Sequence, residues 1–185
     1  MLVSRTVSAE ILWEWDMGEL PSGWWANEYW DFPDTGALSF VHAQTSGSYS
    51  VSELAEMRSD TMTVPAGVDT MVVTVFDTWE WDGWYTTGES NCCIWLRVMV
   101  PGGDYYTIEF DSHGWGFKES GQPMNAAVEV PLAAGQQFYL YFYSYAGASY
   151  GAMAEMLWTV DHLVITDTGG TSLQRSTWGS IKSVF

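Results

Sequence analysis

The chain has 185 residues, with 23 acidic side chains against 6 basic ones and a net charge of −17. That balance excludes a nucleic-acid interface, which needs a basic surface for phosphates, and argues against docking on anionic lipid. It fits high solubility, divalent cations or a high-salt habitat. Aromatics make up 16% of the chain and charged residues only 16%, so much of the surface is left to Ser, Thr, Gly and aromatic rings, the texture of a secreted β-protein. A single domain near this length buries about 70% of its unfolded surface, and no apolar run approaches the ~20 residues that span a bilayer.

Near the start, Val7-Ser8-Ala9 looks like a signal-cleavage site without the apolar stretch that should precede it. Glu10 to Trp15 (EILWEW) alternates and reads as a first strand, ended by the turn region from Gly18 to Gly23 around Pro21. Trp24 to Trp30 is a second aromatic stretch, stopped by Pro33 and Gly36. Ala37 to Gln44 is strand-like, and Ser50 to Ala55 reads as a short helical turn. Ser59 to Val64 reads as a strand, followed by a Pro65-Ala66-Gly67 turn and a long strand from Asp69 to Thr78. Asp77 to Asn91 (DTWEWDGWYTTGESN) reads as a loop rich in aromatics and acids.

Cys92 to Val100 is the next strand. Arg97 should face solvent together with Cys93, Trp95 and Met99, which sends Cys92, Ile94, Leu96, Val98 and Val100 to the core. Neighbouring Cys92 and Cys93 therefore point to opposite faces and are poorly placed to bond to each other. They read as two reduced small hydrophobes, or as a core thiol beside an outward one open to an intermolecular disulfide. Tyr105 to Phe110 and Ala126 to Val130 are further strands. Gln136 to Ala146 (QQFYLYFYSYA) sorts most cleanly: Phe138, Leu140 and Phe142 share a core face, and Tyr139, Tyr141, Tyr143 and Tyr145 share the other. Leu157 to Thr166 closes the set.

Short strands with a turn signal every ten residues or so predict an all-β fold, a two-sheet antiparallel jelly-roll β-sandwich over residues 1–167. Residues 168–185 are expected to form a linker and a C-terminal docking segment, with Trp178, Ile181 and Phe185 at helix-like spacing or on a strand donated to a sheet edge.

Two stretches carry a family resemblance. Ile11 to Trp24 (ILWEWDMGELPSGW) resembles the opening of choice-of-anchor and cleaved-adhesin jelly-roll domains, which run into a Leu-Pro-x-Gly-Trp turn. Leu157 to Thr166 resembles their closing W-x-[IV]-D-D-[ILV]-x-[IL] strand, shared with MAM domains, through Trp158, Val160, Asp161, Leu163 and Ile165; His162 replaces the second Asp. The resemblance implies a jelly roll, secretion or surface display, and adhesion or carbohydrate contact without catalysis. It also implies that Asp161 is a structural acid tying strands together.

Glu109 and Asp111 share a strand face and resemble part of the E-x-D-x-x-E motif of laminarinase-type glycoside hydrolases, but His113 and Gly114 stand where its last acid is needed. Without a second catalytic carboxyl neither glycosidase scheme closes. His42, His113 and His162 are scattered and lie beside no nucleophile motif. The chain is therefore expected not to be an enzyme. Asp77, Asp82 and Asp161 are hard-oxygen candidates for Ca²⁺, against the plainer reading of a solvated acidic loop. The functional weight falls on aromatics: Trp79, Trp81, Trp84 and Tyr85 in the predicted loop, Trp95, and the Tyr139 to Tyr145 ladder. They serve as core, as a contact with copies of the same chain, or as a platform for extracellular polysaccharide. The first expectation is a self-associating structural or adhesive module, extracellular or on the cell surface. The alternative is a carbohydrate-binding module, with or without calcium.

Overall fold

The computed structural model describes residues 9–85, 88–114, 119–120 and 124–168. Thirteen strands are β1 (Ile11–Asp16), β2 (Trp25–Ala26), β3 (Trp30–Asp31), β4 (Ala37–Gln44), β5 (Ser50–Arg58), β6 (Met62–Thr63), β7 (Met71–Tyr85), β8 (Ser90–Met99), β9 (Tyr105–Gly114), β10 (Glu119–Ser120), β11 (Met124–Val130), β12 (Gln137–Ser149) and β13 (Ala152–Asp167). The first sheet runs β10-β7-β13-β4-β3, with β11 also on β7 and β1 also on β13. The second runs β2-β5-β12-β8-β9, with β6 on β12. The chain changes sheet at β1 to β2, β2 to β3, β4 to β5, β6 to β7, β7 to β8, β9 to β10, β11 to β12 and β12 to β13, and β1 lies beside β13. That crossing pattern makes the two antiparallel sheets a jelly-roll sandwich.

Alternation explains the core. Inward residues of β12 (Phe138, Leu140, Phe142) and of β13 (Met156, Trp158, Val160) are fully buried, each large apolar side chain contributing about 1.5–3 kcal/mol. Phe142 is a hub: its ring centroid lies 5.8 Å from Trp24, 6.3 Å from Trp30 and 5.9 Å from Trp158. Trp13 from β1 packs edge-on against Phe138 at 5.6 Å. The outward set predicted for β8 is also as expected, with Cys92, Ile94, Leu96 and Val98 buried and Cys93, Trp95, Arg97 and Met99 half-buried on the other face.

Three expectations are corrected. Ser50 to Ala55 belongs to strand β5, whose length and period-two burial follow from pairing with β12 along Tyr141 to Ser149. The predicted loop from Asp77 is instead the second half of β7, paired with β13 as far as Tyr85↔Ala152. Within Ser59 to Val64 only Met62 and Thr63 form a strand. Residues 169–185 lie outside the described part, and with them Trp178, Ile181 and Phe185.

Candidate functional site

β12 lies between β5 and β8, so its outward tyrosines meet side chains from both neighbours. Tyr141 stands opposite Arg58 and Arg97, Tyr143 opposite Glu56 and Trp95, Tyr145 opposite Leu54 and Cys93, and Tyr139 opposite Met99. All four phenols are half-buried. Their cover includes one another and Trp95: Tyr143 and Trp95 centroids are 4.3 Å apart, Tyr143 and Tyr145 stack at 6.4 Å with 13° between planes, and Tyr141 lies 6.4 Å from Tyr143. The next outward position of β12 is Gly147. A Cβ there would meet the Tyr145 hydroxyl and Asn91 Oδ1, so glycine is what lets the Tyr145 ring lie down along the strand.

Two guanidiniums bracket the ladder. The Arg97 guanidinium sits 3.8 Å from the Trp95 ring centroid and 4.4 Å from that of Tyr105; the Arg58 guanidinium lies 5.6 Å from Trp25. Such contacts fix a long, otherwise mobile side chain over a ring. Tyr105 and Trp25 are themselves exposed at the two edges. Both arginines stand opposite Tyr141 on its two sides, two strand spacings or about 10 Å apart across the sheet.

Hydrogen-bonding capacity on this face is partly unfilled. The Tyr141 hydroxyl donates to Glu56 Oε1. Burial, reinforced by that carboxylate, holds the Tyr141 phenol well above the usual range, and burial also raises Tyr143. Both phenols therefore stay neutral, able to donate and accept. Trp95 Nε1 and Arg97 Nε are buried without a hydrogen-bond partner. Cys93 shares the face; burial pushes its thiol up while Arg97 pulls it down. Cys92 points the other way, its Sγ 3.5 Å from the Glu155 carbonyl it donates to, with burial pushing its thiol to about 12. Both cysteines are free.

The other predicted site residues scatter. Trp79 and Trp81 are 7% and 3% exposed because their phase along β7 aims them into the sandwich; they are core residues, not ligand contacts. Trp84 has the opposite phase. It is 43% exposed and borders a cleft of about 500 Å³ with Gln44, Thr45, Ser46, Tyr49 and Gly151. The side chain of Tyr85, like those of Glu109, Asp111 and His113, lies outside the described residues.

The proposed calcium ligands Asp77, Asp82 and Asp161 do not converge. Asp77 and Asp82 are five apart on one strand and so face opposite ways. Asp77 is buried and accepts the Trp158 indole N–H at 2.6 Å, with burial raising its pKa to about 6. Asp161 stands at an irregularity in the β13–β7 register, bordering a groove with Asp16, Glu19 and Asp34. Among the described residues no group of three or more His, Cys, Asp or Glu is placed to hold a metal ion. Asp77 ties β7 to β13 through Trp158, while His162 reaches back to β1, with Nδ1 2.8 Å from Asp16 and Nε2 3.1 Å from Glu14. His42 pairs with Glu155 at 3.1 Å.

Sequence reasoning missed Arg58, Glu56 and Tyr105. The signal is the period-two run Leu54, Glu56, Arg58 in β5, which extends past the Ser50 to Ala55 stretch expected to be a helical turn.

No family model matches the sequence and no curated protein does. Solved structures similar to the chain include the CBM22-1 xylan-binding domain from Paenibacillus barcinonensis Xyn10C, at 12% identity and a TM-score of 0.40 over 89% of this chain and 98% of that one. A CBM4 structure follows at 14% and 0.37, covering 77% and 94%. A third is TmCBM61 in complex with β-1,4-galactotriose, at 14% and 0.32, covering 79% and 89%. Similarity at this level leaves the function to be argued from the chain's own residues.

Proposed function

We propose that the domain is a non-catalytic carbohydrate-binding module working outside the cell, with a glycan lying across the β5–β12–β8 face. The observation that carries the reading is the single outward surface holding Tyr139, Tyr141, Tyr143, Tyr145 and Trp95, with Trp25 and Tyr105 exposed at its edges. Sugar rings offer apolar C–H faces to aromatic rings and hydroxyls to polar edges, and this surface supplies both. The aromatics of the inward faces are consumed by packing; these keep part of their surface open.

The test is affinity electrophoresis on a panel of soluble polysaccharides, run beside light scattering. A monomer retarded by at least one glycan is expected, with Trp95→Ala and Tyr143→Ala each weakening retention about tenfold or more, the size of an interface hot spot, while near-ultraviolet circular dichroism stays native. No retention by any glycan overturns the reading. Concentration-dependent association lost in the same two variants would make this face a contact between copies. Loss confined to Trp84→Ala would move the site to the Tyr49–Trp84 cleft.

A further inference from the structure

Resting on that reading, we infer that the glycan is acidic, a polysaccharide carrying uronate carboxylates. The chain has only 6 basic side chains, and among the described residues just two, Arg58 and Arg97, are Lys or Arg. Both stand on the outward face of the second sheet, in one row, opposite the same tyrosine.

Their environment is that of ligand-binding groups rather than of ion-pair partners. Each guanidinium lies over rings, Arg58 at 5.6 Å from the Trp25 centroid and Arg97 at 3.8 and 4.4 Å from those of Trp95 and Tyr105. Stacking occupies the flat face of a guanidinium and leaves its rim of N–H donors for a planar carboxylate. Among the described side chains neither arginine lies within ion-pair distance of an acid, and Arg97 Nε has no hydrogen-bond partner at all. Glu56, the carboxylate next along β5, is held by the Tyr141 hydroxyl rather than by either arginine. A neutral glycan would leave beneath it two oriented guanidiniums that no described acid pairs with. A uronate chain satisfies them, its ring faces on the tyrosines and its carboxylates on the two arginines. The chain's overall negative charge opposes a polyanion only at long range, since fields are screened beyond about 8 Å at physiological salt.

The probes are alginate, polygalacturonate, glucuronoxylan and hyaluronan, each run beside its carboxyl-reduced form, together with neutral glucan, xylan and mannan. At least one acidic polymer should bind about tenfold or more tighter than its reduced form, as a charge-assisted hydrogen bond implies. Arg97→Gln should remove most of that preference, Arg97→Lys should restore it in part, and Arg58→Gln, at an exposed position, should reduce it without touching the fold. Equal binding of acidic and reduced forms, or preference surviving both Gln variants, overturns the inference and leaves the sugar-binding reading standing. Absence of binding to every polymer, neutral ones included, overturns both.

Discussion

β7 and β12 carry the most aromatic residues of the described strands, and they use one local arrangement in opposite directions. In β7 the Trp81 ring lies over Gly83, where a Cβ would come within 2.9 Å of ring carbon Cζ3. In β12 the Tyr145 ring lies over Gly147 in the same i, i+2 relation. The first pair faces the core and the second faces out. A glycine two residues after a large ring makes room for that ring to recline along its own strand, whichever side it is on. What differs is the cost of disturbing it, because the inward ring has no place to go and the outward ring has solvent.

The sharpest test of that contrast sets Trp81→Ala against Tyr145→Ala. Emptying the inward site should cost about 3–5 kcal/mol, whereas the outward one should cost only about 1 kcal/mol, with the loss falling on glycan binding instead. Denaturant unfolding measures both. Equal costs would mean that the ladder is covered as thoroughly as the core.

The inward face of β7 also holds Asp77, buried against Trp158. Burial raises its pKa from 3.8 to about 6, so the neutral acid favours the folded state. That contribution is complete below the unfolded pKa and is lost as the pH rises through about 6, a swing of roughly 3 kcal/mol. Asp77→Asn removes it. The stability of the Asn variant relative to the parent should therefore climb as the pH goes from about 4 to 8, read by unfolding curves at each pH. A flat difference would show that the charge is not buried.

The smallest effects come from the glycines. Gly83→Ala must displace Trp81 or the nearby Ser90 Oγ and Met153 carbonyl, 3.0 and 3.3 Å from the new Cβ, and should cost about 1–3 kcal/mol by overpacking. Gly147→Ala should cost under about 1 kcal/mol, since Tyr145 swings outward, yet it should still weaken glycan retention. Retention unchanged in Gly147→Ala would place Tyr145 outside the contact.

Alternation along β8 and β12 was legible in the sequence, and with it the sandwich, the core trio of Phe138, Leu140 and Phe142, and the opposed faces of Cys92 and Cys93. The reason is local: side-chain direction in a strand depends only on parity, and in β8 and β12 one parity is apolar. The same rule was available for β7, where Trp79 and Trp81 alternate with Glu80 and Asp82, but acids and glycine made the stretch look like a loop. Pairing with β13 made it a strand. Parity also set the tyrosine ladder and Trp95 on outward faces; what it could not show is that two cations flank them. Arg58 and Arg97 become neighbours of one tyrosine only through the registers β5–β12 and β12–β8, and register is set by long-range pairing that no window of sequence contains. The sequence by itself determined which residues share a face; only the tertiary structure decided which faces lie side by side, and so brought the two described cations to the edges of the tyrosine ladder.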